Sequence, residues 1–175
     1  MRLGATPGWL NPNAAALTAP AVRNQQPLRP GERAVTTHQP IRSVPIVRPT
    51  TVSLPYEPQS ASAARRLVRD VLADWELEHL SDDAELVVTE LVSNATKTGC
   101  RTSMLVSAAR VDNRAGRVVR FAVRDGSRTL PVLIPRATGD SGRGLALVDH
   151  LAAFWGVDME PHGKTIWADL RVDRT

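Results

Sequence analysis

The length, composition and charge of the chain exclude several classes of protein. It has 175 residues, 42% of them hydrophobic and 23% charged, which fits one globular domain with a flexible extension better than two full domains. Its single cysteine, Cys100, cannot form an intramolecular disulfide. This excludes a small secreted protein stabilised by disulfides and a zinc site with several cysteine ligands. The formal net charge of +4 would suit nucleic-acid binding, but its distribution along the chain argues against that for the domain itself.

The positive charge lies in the first 50 residues. This segment holds six arginines, one acid and eight of the 13 prolines, whereas residues 51–175 carry a net charge of −1. Because such a segment cannot bury enough apolar surface to offset its ordering entropy, we predict a disordered tail over 1–50 and a folded domain over 51–175. Docking of the tail on an acidic partner or on nucleic acid is the alternative. Polar residues and prolines interrupt the N-terminus, and no run of about 18 apolar residues exists, so we expect a soluble cytoplasmic protein without membrane contact.

Two amphipathic helices are expected after a short strand at residues 51–54. The first follows two prolines, and Ser60 or Ser62 is available as its N-cap. The second begins at Ser81, with acidic residues in its first turn, and ends at Gly99. Apolar residues recur three and four positions apart in both helices. These residues are Ala64, Leu67, Val68, Val71, Leu72 and Trp75 in the first helix and Ala84, Val87, Val88, Leu91, Val92 and Ala95 in the second.

The rest of the domain predicts two β-hairpins separated by a loop and a third helix. Strand patterns cover residues 104–111, 118–125, 154–159 and 165–172, and turn residues join the first pair and the last pair. The third helix should span residues 144–153. Helices packed on one face of a largely antiparallel sheet define an α+β fold, a two-layer α/β sandwich with three main helices on one face.

An acid and an amide on the second helix are the first candidates for chemistry. Glu90 and Asn94 are four residues apart and therefore lie one turn above each other, and Lys97 follows about one turn later. A carboxamide oxygen suits Mg²⁺ held mainly by phosphates and waters, while a nearby carboxylate can orient or deprotonate a hydroxyl. The alternative is that Glu90 and Asn94 are solvated residues at the edge of the apolar face.

Asp125 is the second candidate. Val119, Phe121, Val123 and Asp125 share one face of a strand, so the carboxylate ends a row that otherwise points to the core. A buried carboxylate needs a hydrogen-bond donor, and the exocyclic amine of an adenine would serve. The alternative is an ordinary turn at Asp125-Gly126.

Two glycines and a threonine complete the set. Gly142 and Gly144 stand at the entrance to the third helix, where backbone can approach a phosphate and the N–H groups of the first turn attract an anion. A simple loop-to-helix junction is the alternative. Thr165 is a strand hydroxyl whose simplest explanation is β-propensity.

The order and spacing of these pieces resemble a known superfamily. A helical Glu-x-x-x-Asn, a strand-terminal Asp-Gly, a loop, Gly-x-Gly-Leu entering a helix and a strand threonine closely resemble the Bergerat-type ATP-binding domain of gyrase, Hsp90, histidine kinases and MutL. Residues 54–172 look most like the anti-sigma factor type serine kinases and the related small actinobacterial ATP-binding regulatory proteins. The resemblance covers about two thirds of the chain and excludes the tail.

The resemblance implies a role for each candidate. Glu90 would be the catalytic base, Asn94 the Mg²⁺ ligand and Lys97 a phosphate contact. The remaining positions would bind ATP: Asp125 with Gly126 at the adenine amino group, Gly142, Gly144 and Leu145 at the phosphates, and Thr165 near the adenine. The chain departs from the family's Asp-x-Gly-x-Gly, because Ser127 and Thr129 replace both later glycines.

Two functions follow from this resemblance. One is an ATP-binding regulatory protein that phosphorylates a serine or threonine of a partner, with ATP and Mg²⁺ as cofactors and a sigma factor or anti-sigma antagonist as the partner. The other is a non-catalytic module that uses the same fold to sequester a sigma factor or its antagonist. The oligomeric state is open, and a homodimer is one possibility.

Overall fold

The computed structural model of the protein describes residues 44–45, 48–98, 103–113, 116–131 and 144–173. Within these ranges the chain forms six strands, three α-helices and one short 3₁₀ turn at Glu78–Leu80. The elements are β1 (Val44–Pro45), β2 (Thr50–Leu54), α1 (Ser60–Asp74), α2 (Ser81–Thr98), β3 (Met104–Asn113), β4 (Gly116–Asp125), α3 (Gly144–Leu151), β5 (Phe154–Glu160) and β6 (Gly163–Arg171).

All strand pairs are antiparallel, and the sheet has the order β1-β3-β4-β6-β5 with β2 also paired to β3. Since β4 occupies the other edge of β3, β1 and β2 lie end to end along one edge of that strand. The two predicted hairpins are formed by β3 with β4 and by β5 with β6. Residues 44–45, which the sequence places in the tail, pair with residues 111–112 of β3.

The helices cover one face of this sheet. The main core cluster joins the buried faces of α1 and α2 to alternate residues of β3, β4 and β6, such as Val106, Phe121 and Ile166. On β4 the core-facing row is Val119, Phe121 and Val123, and the buried residues of α2 are the six predicted from its periodicity. The predicted α+β fold, with a largely antiparallel sheet under three helices, is confirmed.

The ends of the helices differ from the sequence prediction in detail. Neither predicted serine caps α1: Gln59 precedes the helix without a capping side chain, and the Ser60 hydroxyl donates to the carbonyl of Pro55 at 2.7 Å. The helix ends because Glu76 adopts a φ of 57°, and the Leu77 N–H returns to the Leu72 carbonyl at 2.8 Å. Gly99, the predicted end of α2, lies outside the described residues. No helix in the described ranges is long and apolar enough to cross a membrane.

The opposite face of the sheet carries a buried ion pair. Arg120 on β4 and Asp169 on β6 are direct cross-strand partners, and Arg120 donates from Nε to Oδ1 at 2.6 Å and from Nη2 to Oδ2 at 2.8 Å. The guanidinium also stacks 4.1 Å from the ring centroid of Trp167. Burial raises the pKa of the nearby Asp158 carboxyl, while the Trp167 indole and the Arg120 charge oppose that rise. These contacts explain how charged side chains are accommodated on strands that are buried on both faces.

Candidate functional site

Two of the predicted residues, Asn94 and Asp125, lie where α2 ends, β4 ends and β6 begins. Lys164, the cross-strand partner of Asp125, connects them: its Nζ donates to Asp125 Oδ1 at 3.0 Å and to Thr98 Oγ1 at 3.2 Å. Thr98 in turn donates to the backbone carbonyl of Asn94 at 3.0 Å. The backbone of Asn94 and the side chain of Asp125 are therefore linked through Thr98 and Lys164 on the helix-covered side of the sheet.

Glu90 lies against the start of α3. A β-carbon added to Gly144 would overlap Glu90 Oε2, so the carboxylate occupies the space that any larger residue at position 144 would need. The glycine at the head of α3 is thus explained by close approach to the acid on α2. The structure brings Glu90 and Gly144 together, as a shared site requires.

Asn94 presents an acceptor without a protein partner. Its Oδ1 is buried and makes no hydrogen bond to the described residues, whereas the hydroxyls of Thr96 and Thr98 donate to backbone carbonyls of α2. Buried polar atoms are usually satisfied, so the unpaired amide oxygen is a candidate contact for a ligand, an ion or an ordered water. The described residues contain no group of three or more His, Cys, Asp or Glu that could hold a metal ion. The Asn94 amide oxygen is a hard ligand of the kind that joins phosphate oxygens and water around Mg²⁺.

Asp125 is almost fully buried. Only one of its two carboxylate oxygens accepts hydrogen bonds from the described residues. Oδ1 accepts from the Ser127 N–H at 2.7 Å and from Lys164 Nζ at 3.0 Å. Oδ2 also lies 3.0 Å from Lys164 Nζ, but hydrogen-bond geometry is met at Oδ1 alone, so Oδ2 remains a buried acceptor without a hydrogen bond. The ion pair supplies the countercharge that a buried carboxylate needs.

The loop after β4 carries Ser127 and Thr129 where the resembled Asp-x-Gly-x-Gly pattern has glycines. The Ser127 N–H bonds to Asp125 Oδ1, and the Thr129 N–H bonds to Ser127 Oγ at 3.1 Å, so two successive side-chain turns shape the chain. Neither Ser127 nor Thr129 has a positive φ; among non-glycine residues in the described ranges, only Glu76 does. The local backbone therefore needs no glycine at these two positions.

Thr165 does not join the site. It pairs with Arg124 rather than Asp125, and its hydroxyl donates to Glu160 Oε1 at 2.7 Å on the opposite face of the sheet. Because side chains alternate along a strand, the residue that faces Asp125 is Lys164, one position earlier. Lys164 was not predicted as a site residue, although Gly163-Lys164 opens a strand whose alternate residues Ile166 and Ala168 are apolar.

The other predicted residues have varied positions. Lys97 is exposed on the last turn of α2, and Leu145 is buried at the start of α3. The Gly126 N–H donates to the Tyr56 hydroxyl at 3.1 Å beside Asp125. Gly142 lies outside the described residues.

A cleft of about 380 Å³ lies at the opposite end of the helical layer. It is lined at the start of α2 by Asp83, at the end of α3 by Leu151 and at the end of β6 by Leu170. It contains none of the predicted site residues, and the unpaired acceptors of Asn94 and Asp125 lie elsewhere. The candidate site is therefore defined by its polar groups and not by this cleft.

Comparison with known families identifies the class of protein. Residues 54–170 match the histidine kinase-like ATPase domain, and the chain belongs to this family. The match includes every described residue of the site, and the family makes this an ATP-binding domain. No similar protein was found among curated proteins.

The contact between Gly144 and Glu90 leads to a prediction about two glycines. Gly144→Ala should displace the Glu90 carboxylate with little loss of stability, because the obstacle is mainly the end of a flexible side chain. Gly156→Ala, by contrast, places a β-carbon 2.7 Å from the buried Trp167 ring and should cost about 1–3 kcal/mol. Urea denaturation of both variants measures the difference. Equal losses of stability would contradict this account of Gly144.

Proposed function

We propose that this protein binds Mg-ATP and transfers its γ-phosphoryl group to a serine or threonine of a partner protein, as the anti-sigma factor type serine kinases do. One observation carries the proposal. Of the three buried side-chain polar atoms without a hydrogen bond in the described ranges, the two acceptors are Asn94 Oδ1 and Asp125 Oδ2. Both belong to the cluster that sequence analysis assigned to the nucleotide, one beside Glu90 and one at the end of β4.

Each residue has a distinct task in this proposal. Asn94 would hold the cation through its amide oxygen, and Glu90, one turn earlier on α2, would accept the proton of the attacking hydroxyl. Mg²⁺, when bound with the nucleotide, offsets charge on the phosphates. The backbone at Gly144 is close enough to Glu90 to place phosphates beside this carboxylate. The partner would be a sigma factor or an antagonist of an anti-sigma factor, and the active form could be a homodimer.

A second function is favoured by the ion pair at Asp125. Both side chains of the pair are fully inaccessible, and Lys164 already hydrogen-bonds to one oxygen of the carboxylate that would recognise adenine. A non-catalytic module that sequesters a sigma factor or its antagonist would not need this carboxylate to be open. This module would act with or without bound nucleotide, so the two functions differ in whether bound Mg-ATP reacts.

Asn94→Ala tests the cation site. We expect it to abolish Mg²⁺-dependent ATP binding, because it removes the unpaired oxygen while leaving the α2 backbone and the Thr98–Lys164 contacts in place. Isothermal titration calorimetry of the full chain with ATP, with and without Mg²⁺, measures the effect. Ser93→Ala, one residue away on α2, is the matched control and should bind as the unmodified protein does. Unchanged Mg²⁺-dependent affinity in a folded Asn94→Ala protein would remove this role.

A further inference from the structure

Lys164 is the least expected charged residue of the site. Its side chain is completely buried at the start of β6, on the face of the sheet that the helices cover. An ammonium in such a place must use its three protons, and three acceptors surround it: Asp125 Oδ1 at 3.0 Å, Thr98 Oγ1 at 3.2 Å and, at a longer 3.5 Å, the Ser127 carbonyl. Lys164 is thus fully satisfied by protein groups and has no proton to offer a ligand.

This arrangement fixes the orientation of Asp125. Lys164 Nζ lies 3.0 Å from both carboxylate oxygens and hydrogen-bonds to Oδ1, which also accepts from the Ser127 N–H, so the two donors fix the orientation of the carboxylate. Oδ2 is left as the one oxygen able to accept a further hydrogen bond, although it lies within 3.0 Å of the same ammonium. A donor that reached Asp125 would therefore meet a single, preset acceptor.

We propose that Lys164 is a positioning residue for base recognition, which holds Asp125 so that Oδ2 accepts a hydrogen bond from the exocyclic amine of a purine. The inference rests on the proposed nucleotide site and adds to it the residue that sets base preference. A purine without that amine leaves Oδ2 buried and unpaired, which costs binding free energy. The preference for an amino-purine nucleotide should therefore depend on a lysine that does not touch the nucleotide.

The test compares two nucleotides in two proteins. Affinities for ATP and for purine riboside triphosphate, which lacks the 6-amino group, are measured by calorimetry with Mg²⁺ for the full chain and for Lys164→Met. We expect the unmodified protein to prefer ATP by about ten- to a hundredfold and Lys164→Met to lose most of this preference. A purely structural role would weaken both nucleotides equally and leave their ratio unchanged.

A second variant covers the case in which Lys164→Met does not fold. Thr98→Val removes one of the three acceptors and keeps the charge, so it should lower the ATP preference in the same direction by a smaller factor. Adding Lys164→Met to Asp125→Asn removes both buried charges together, and here the lysine change should not alter the ratio further. That result would show that Lys164 affects base preference through Asp125.

The outcomes separate this inference from the proposed function. If the unmodified protein binds neither nucleotide, the nucleotide site itself fails and the inference with it. If it binds ATP preferentially but Lys164→Met and Thr98→Val keep the same ratio, only the positioning role is overturned. A tighter affinity for both nucleotides in Lys164→Met would also overturn it, because Lys164 would then obstruct the base instead of orienting its acceptor.

Discussion

Replacing Glu90 with glutamine should leave ATP bound and lower its turnover by about 10²- to 10⁴-fold. The carboxamide has nearly the same shape, so the close approach to Gly144 is kept, but it cannot accept the proton of an attacking hydroxyl. Formation of ADP from saturating Mg-ATP, measured with the full chain and with water as the phosphoryl acceptor in place of the partner hydroxyl, gives the rate, and calorimetry gives the affinity.

Glu85→Gln is the matched control for this variant. Glu85 lies on the same helix, but its carboxylate pairs with Arg69 at 2.8 Å near the surface. The control should keep the turnover of the unmodified protein. Equal ADP formation by Glu90→Gln and Glu85→Gln would remove the base assignment.

The largest expected effect on stability follows from removing the Arg120 guanidinium. In Arg120→Met the Asp169 carboxylate, which is completely inaccessible, loses both hydrogen bonds from the arginine, and Trp167 loses its stacked cation. Breaking a buried ion pair from one side costs about 3–5 kcal/mol, so we expect a fall of that size in the free energy of unfolding. Urea denaturation monitored by tryptophan fluorescence measures it.

Two further variants make this measurement decisive. Arg120→Met combined with Asp169→Leu removes both charges and should recover most of the loss, since apolar replacement of a whole buried pair is often neutral. Arg69→Met breaks the exposed pair with Glu85 and should cost less than about 1 kcal/mol. A single Arg120→Met variant as stable as Arg69→Met would show that the buried pair contributes little.

The parts of the fold that follow from local periodicity could be predicted from the sequence. The six buried residues of α2 were identified because an amphipathic helix repeats every 3.6 residues, and the two hairpins because turn residues separate the strands. The same logic correctly placed Val119, Phe121 and Val123 in the core. Local patterns are sufficient where each element meets its neighbours through one continuous apolar stripe.

The parts that depend on register could not be predicted in this way. Lys164 and Asp125 are 39 residues apart and meet only because β6 pairs with β4 at that position. Neighbouring side chains on a strand point to opposite faces, so Lys164 faces Asp125 while Thr165, which the family resemblance assigned to the site, lies on the other face. Arg120 and Asp169 were not predicted to be buried. On a strand with one apolar face, charged side chains normally point to solvent on the other face, but here the two charges are buried together.

The ladder between β4 and β6 holds two buried ion pairs, one on each face of the sheet. Arg120 with Asp169 and Asp125 with Lys164 are both direct cross-strand partners, five residues apart along β4. If β6 slipped along β4 by two residues, the apolar faces could still overlap, but four buried charges would lose their counterions at several kcal/mol each. Misaligned pairing of β6 with β4 is therefore disfavoured during folding, and the buried charges favour the register that brings Lys164 to Asp125.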